Sequence, residues 1–111
     1  MTTSESNPNN RGATDPQASL TRRERDILSL LAQGLSNEQI AARMGFKDKR
    51  TISRTNGQIY ATWGLADSTT DEKIARTRAA LIARADRLIA WDSDGTAKVM
   101  NERGEWEEWN A

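Results

Sequence analysis

The stretch Leu20 to Leu65, LTRRERDILSLLAQGLSNEQIAARMGFKDKRTISRTNGQIYATWGL, decides the fold because it reads as three short capped helices, each stopped by a glycine. Thr21 with Glu24 spells T-x-x-E, the reciprocal capping box in which a hydroxyl takes one orphan amide and the carboxylate another. Ile27, Leu28, Leu30 and Leu31 follow as an apolar stripe at helical spacing. Gly34 supplies a left-handed residue to end the helix, which should run over 22–33. Ser36 with Gln39 repeats the box as S-x-x-Q. Ile40, Ala41 and Met44 give a short inward face, and Gly45 closes the element after little more than two turns. A helix so short survives only by packing, and Ala41 with Ala42 lets a following helix approach closely.

The third helix opens at Asp48, with Lys49, Arg50 and Thr51 in its first turn. Ile52, Ile59 and Trp63 fall on one face, which is core, and Gly64 ends the element. The other face offers Arg50, Ser53, Arg54, Gly57, Gln58 and Ala61, cationic and amide groups separated by small residues, a pattern suited to a helix laid in a DNA major groove. Asn56-Gly57 is also a strong hairpin signal. The apolar residues share a helix face more cleanly than a strand face, so helix is the preferred reading. Gly57 inside it costs about 1 kcal/mol relative to alanine. That cost calls for either close backbone approach to DNA or tolerance by packing.

Outward from this stretch, residues 1–19 are rich in Ser, Thr, Asn, Pro and Gln and cannot bury enough surface to order themselves, so a disordered arm is expected there. Arg11 within it reads as solvated. Residues 68–89 read as a longer fourth helix, opened by Thr69 with Glu72, and striped by Ile74, Leu81, Ile82, Ala85, Leu88 and Ile89. That stripe exceeds what a three-helix core covers. Either part of it faces a second copy of the chain, the reading preferred here, or the C-terminal segment folds back over it. From Ala90 the period changes: Thr96–Met100 and Glu105–Trp109 read as short strands separated by the turns Asp92-Ser93-Asp94-Gly95 and Asn101-Glu102-Arg103-Gly104. The D-x-D-G start lacks the later ligands of a calcium loop and is read as a turn. Trp91, Trp106 and Trp109 are expected to anchor the meander on the fourth helix, with a partner-binding patch as the alternative. The expected fold is mostly α: a helix-turn-helix domain of three or four helices over 20–89, with a small acidic β-meander over 90–111.

Composition narrows the function. The 111 residues allow one modest core, and 36% hydrophobic with 29% charged residues fits a globular class. Cysteine and histidine are both absent. That removes disulfides, thiolate chemistry, the usual zinc ligands and the commonest general base near neutral pH. No cofactor or metal is expected. Carboxylates are plentiful, but no nucleophile accompanies a base, so a hydrolase ranks last. No apolar run spans a bilayer and the start lacks a secretory signal, which places the chain in the cytoplasm, away from membranes. The net charge of zero hides a division: residues 20–65 hold eight Lys or Arg against four Asp or Glu, whereas residues 90–111 hold two against six. A basic domain joined to an acidic tail points to an anionic partner for the first and a separate role for the second.

These residues resemble the LuxR-type (GerE-like) helix-turn-helix. The resemblance rests on L-T-x-R-E at Leu20 to Glu24, on LLAQGLSNEQIA from Leu30 to Ala41, and on Thr51-Ile52, Ile59 and Gly64-Leu65. It implies a four-helix domain whose third helix enters the major groove and whose fourth often forms a dimer contact. The chain departs from that pattern at several places. One extra residue lies between Gly45 and Asp48, and Trp63 stands where leucine is usual. Ser53, Arg54 and Gly57 stand at positions of base readers, of which only Arg54 keeps a long cationic side chain. The residues ahead of the module read as neither a receiver nor a ligand-sensing domain, so control by phosphorylation or autoinducer is not expected.

The expected function is sequence-specific binding of double-stranded DNA by a transcriptional regulator. Lys47, Lys49, Arg50 and Thr51 are the expected phosphate contacts; Ser53, Arg54 and Gln58 face base edges, with Gly57 between them. The alternative is a protein-interaction module that uses the tryptophan tail and fourth helix to bind a polymerase subunit or another regulator. The acidic tail could also cover the basic helix and compete with DNA.

Overall fold

The computed structural model describes residues 15–67 and 70–109. Four α-helices, α1 (Arg22–Ala32), α2 (Asn37–Met44), α3 (Lys49–Trp63) and α4 (Glu72–Ala85), are followed by β1 (Ile89–Trp91), β2 (Ala97–Met100) and β3 (Trp106–Glu108). The mostly helical fold with a small meander is the one the sequence implies.

Both capping boxes form. The Thr21 amide donates to Glu24 Oε1 at 2.9 Å and the Glu24 amide to Thr21 Oγ1 at 3.1 Å. Ser36 and Gln39 exchange the same pair at 2.8 and 3.2 Å. Asp48 caps α3 by accepting the Arg50 amide at 2.8 Å. Asn56-Gly57 lies within α3, so the hairpin alternative is excluded. Gly45 and Gly64 are left-handed C-caps, at φ +78° and +65°, where a Cβ would be strained.

The helices share two clusters of buried side chains. Ile27 and Leu31 of α1 meet Ile40 and Ala41 of α2 and Ile52 of α3. Leu28, Ile59, Tyr60 and Leu65 meet Ala75, Ala79 and Ile82 of α4, and Ile89 and Val99 of the sheet close that second cluster. Each fully buried isoleucine or leucine contributes about 1.5–3 kcal/mol, so the first cluster holds α2 in place despite its eight residues.

Two expectations are corrected. The fourth helix covers Glu72–Ala85 rather than 68–89. Its N-cap is Asp71, which accepts the Lys73 amide at 2.7 Å; the expected cap Thr69 lies outside the described residues. It stops early because Asp86 turns left-handed, φ 56°, with its amide on the Ile82 carbonyl. Beyond that stop the period becomes two: Ile89 is buried, Ala90 exposed and Trp91 half-buried. The buried stripe of α4 is Ala75, Ala79 and Ile82, while Ile74 is left 47% exposed. Of the two readings of the long stripe, the C-terminal segment folding back accounts for most of it, since Leu81, Trp91, Ala97 and Trp109 all pack on the second cluster.

The second correction concerns the arm. Residues 1–14, Arg11 among them, lie outside the described residues, but Pro16–Ser19 forms a 3-10 turn capped by Asp15, with Pro16 buried. The Trp63 indole N–H donates to the Pro16 carbonyl at 2.9 Å. A tryptophan in place of a shorter apolar residue thereby reaches back across the domain to hold this segment.

The sheet is antiparallel in the order β1-β2-β3, with Ile89 opposite Val99 and Val99 opposite Glu107. The D-x-D-G segment is a turn: the Thr96 amide donates to Asp92 Oδ1 at 3.0 Å and to Asp94 Oδ1 at 2.9 Å. A proton shared with the Asp92 carboxyl, together with the hydrogen bonds that Thr96 donates, brings the pKa of the Asp94 carboxyl down to about 2.

Candidate nucleic-acid interface

α3 has two sides of opposite character. Ile52, Thr55, Asn56, Ile59 and Tyr60 are buried. Lys49, Arg50, Ser53, Arg54, Gly57, Gln58, Ala61 and Thr62 are exposed, in pairs that recur with the helical turn. The basic and amide side chains singled out from sequence therefore share one open surface. Lys47 adds to it from the turn between α2 and α3 and is exposed. Thr51 is half-buried and faces partly inward; its carbonyl accepts the Thr55 hydroxyl at 2.9 Å.

The cations on this surface are not equivalent. Arg50 is folded onto its own cap, with Nε and Nη2 each 2.7 Å from Asp48 Oδ2. The Arg50 side chain, with the Arg50 amide, holds the Asp48 carboxyl below the ordinary carboxylate range. The Arg50 side chain nevertheless remains 84% exposed, so little but a solvent-screened pair restrains it. Lys49 stands 4.0 Å from Glu38 of α2. Arg54 forms no ion pair within 4 Å among the described residues; it acts on the Asp48 carboxylate only through its longer-range field.

An open groove of about 600 Å³ runs beside this face. Lys49, Arg50 and Ser53 of α3, Lys73 and Arg76 of α4, and the segment 34–39 at the start of α2 line it, and Glu38 and Glu72 add two carboxylates to the lining. Sequence reasoning missed Lys73 and Arg76, because nothing in the α4 pattern says which of its cations turn toward α2. Arg76 is fixed by two acceptors: Nη1 donates to Asn37 Oδ1 at 2.7 Å and Nη2 to the Leu35 carbonyl at 2.6 Å.

The acidic sheet lies elsewhere. It packs on α4 and on the end of α3 through Ile89 and Val99, so it does not shield the exposed cations of α3. Of its tryptophans, Trp91 and Trp109 pack inward and Arg78 stacks over the Trp91 ring at 5.0 Å. Trp106 stays 47% exposed, contrary to the expectation that all three anchor the meander. Among the described residues no helix is long and apolar enough to cross a membrane, and no carboxylate cluster suits a metal ion.

Comparison with known proteins agrees with this geometry. Residues 18–63 match the GerE family, the bacterial regulatory proteins of the luxR family. A DNA-binding transcriptional activator, DevR/DosR of Mycobacterium tuberculosis, is 38% identical over 69 residues, which are 62% of this chain and 28% of that protein. A putative HTH-type transcriptional regulator of Mycobacterium bovis, Mb0914c, is 46% identical over 48 residues, 43% of this chain and 5% of its own length. The chain thus spans little more than a quarter of the first relative and a small part of the second. No solved structure gives a significant match. Residues 18–63 are a helix-turn-helix domain of the luxR family.

Proposed function

We propose that this chain is a cytoplasmic, sequence-specific DNA-binding transcriptional regulator that works by binding rather than catalysis. One observation carries the reading: the outward face of α3 is open, basic and amide-bearing over two full turns, while its inward face is locked into both buried clusters. A helix of that shape fits the major groove, where arginine grips guanine through two acceptors and glutamine does the same for adenine. In this reading Lys47, Lys49, Arg50 and Thr51 hold phosphates. Ser53, Arg54 and Gln58 face base edges, and Gly57 lets the backbone come close. The names of the relatives, a transcriptional activator and a putative HTH-type regulator, support the same assignment.

A homodimer on two half-sites about one helical turn apart is part of the proposal. Ile74 on α4, exposed while its neighbours Ala75 and Ala79 are buried, supports a contact there. Strictly monomeric sedimentation on bound DNA would remove that part. A second reading keeps a role for the tail: Trp106, flanked by Glu105, Glu107 and Glu108 on the outer strand, supports a protein-binding surface separate from α3.

The primary test is a mobility shift with random and genomic duplex at two salt concentrations. Phosphate contact releases counterions, so affinity should fall steeply as salt rises. Absence of salt-dependent binding to any duplex would defeat the proposal.

A further inference from the structure

Behind the exposed face of α3 lies a polar contact that apolar packing does not require. Asn56 is 1% exposed and points inward from the turn that carries Ser53, Arg54, Gly57 and Gln58 outward. Its Nδ2 donates to Asn37 Oδ1 at 3.1 Å, and the same oxygen accepts Arg76 Nη1 at 2.7 Å. Asn37 is the first residue of α2 and Arg76 belongs to α4. A single oxygen therefore ties three helices together. Because two donors converge on it, the amide orientations are fixed: Asn37 presents its oxygen and Asn56 its nitrogen. Asn56 Oδ1 is then left buried with no donor.

That orphaned acceptor is a cost in stability which an apolar side chain at position 56 avoids. Its neighbours on the buried side, Ile52 and Ile59, show that the site accepts apolar groups. What a hydrogen bond adds is direction. Apolar surfaces slide over one another with little change in energy, whereas a donor and acceptor at 3.1 Å lose their bond within a fraction of an ångström. A buried polar residue of this kind is best attested as a device that fixes register. Here the register is the rotation of α3 about its own axis. Turning the helix by about 20° carries a side-chain tip about 6 Å from the axis through roughly 2 Å, enough to break a base-edge hydrogen bond. Long lysines reaching phosphates tolerate such a shift.

We propose that Asn56 is a positioning residue for sequence discrimination: through Asn37 and Arg76 it sets the rotation of α3, and so the aim of Arg54 and Gln58. This inference rests on the DNA-binding reading above and adds the residue that controls its specificity.

The test starts with a preferred duplex, selected from a random pool by the wild-type chain, and a scrambled duplex of equal length. Affinity for both is measured for wild type, Asn56→Val, Asn37→Ala and Asn37→Asp, together with thermal unfolding. Asn56→Val should unfold at the wild-type temperature or above and bind scrambled duplex within about twofold. It should lose about tenfold of the preference for the selected duplex, the scale of one base-reading side chain. Asn37→Ala should lose the preference likewise, and the double variant Asn56→Val with Asn37→Ala should fall no further than Asn37→Ala, which already removes the bond to Asn56. Asn37→Asp keeps the acceptor and should keep the ratio, whatever its added charge does to both affinities.

A folded Asn56→Val that retains the wild-type preference overturns the proposal, and so does an equal loss on both duplexes. If Asn56→Val fails to fold, the contrast between Asn37→Ala and Asn37→Asp decides by the same ratio. A wild-type chain that selects no sequence and shows no salt-dependent binding fails at the earlier step, and both readings fall together.

Discussion

The Arg50 guanidinium lies 2.7 Å from the Asp48 carboxylate that caps the same helix, whereas Arg54, one turn on, forms no ion pair within 4 Å among the described residues. Ion pairing on the exposed face is thus graded along α3. Arg54→Ala should cost about 1–3 kcal/mol on a preferred duplex and relax specificity, while Lys49→Ala should weaken all sequences alike. Titrations on preferred and random duplex separate the two. Equal losses on both for Arg54→Ala would remove it as a base reader.

The same pairing gives a gain-of-affinity prediction. Asparagine caps a helix as well as aspartate does, so Asp48→Asn should leave stability within about 0.5 kcal/mol. It removes a carboxylate from the exposed basic surface of α3 and releases Arg50. Binding to random duplex should tighten, with a steeper dependence on salt. Unchanged affinity would place Arg50 away from phosphates.

Gly57 sits mid-helix, and a Cβ there would meet nothing within 4 Å. Packing within the domain therefore does not demand glycine. Gly57→Ala should stabilise the fold by about 0.5–1 kcal/mol through the entropy of the unfolded chain. If the glycine serves close approach to DNA, Gly57→Leu should fold normally and lose affinity; retained affinity would leave the glycine without a role in binding. Denaturant unfolding and duplex titration on the same samples resolve the two effects.

The start signals of α1, α2 and α3 were legible because each lies within four residues of its cap, as Thr21 with Glu24 and Ser36 with Gln39. So was the outward face of α3, since Ile52 and Ile59 fix the phase of the helix. The burial of Asn56 follows from the same phase, four residues after Ile52 and three before Ile59, but its residue type points to a turn and masks that positional signal. The end of α4 was not legible: Asp86 adopts a conformation normally signalled by glycine, and the apolar spacing runs on unbroken into β1. Arg76 and Trp63 find partners 39 and 47 residues away, Asn37 and Pro16, and no local pattern encodes such distances.

The bond from Trp63 to Pro16 yields a stability prediction. Trp63→Phe keeps most of the ring but leaves the Pro16 carbonyl without its donor. The cost should be about 1–3 kcal/mol, that of an unsatisfied buried acceptor. Hydrogen exchange should rise first at the Leu20 amide, which donates to the Gln17 carbonyl at 3.1 Å in the turn so released. An unchanged exchange rate there would mean that the turn is held by other contacts.

Tyr60, buried at the junction of α3 and α4, donates its hydroxyl to Glu72 Oε2 at 2.8 Å. Burial, reinforced by the Glu72 carboxylate, pushes its pKa above the ordinary tyrosine value of 10.0. The folded chain thus holds this proton at a pH where the unfolded chain has released it. The stability linked to Tyr60 is fully present below about pH 10 and is lost as pH rises through and beyond that value, because the unfolded state then binds fewer protons than the native one. Tyr60 is the sole tyrosine of the sequence, so tyrosinate absorbance reports on it alone. The native chain should show little tyrosinate near pH 10 and an abrupt rise when it unfolds at higher pH. In Tyr60→Phe the fall of stability with pH should be shallower by the contribution of one proton, the lysines titrating alike in both chains. A native absorbance midpoint near 10 would show that the hydroxyl is neither buried nor held by Glu72, leaving apolar packing and the bond from Arg76 to Asn37 to fix α4.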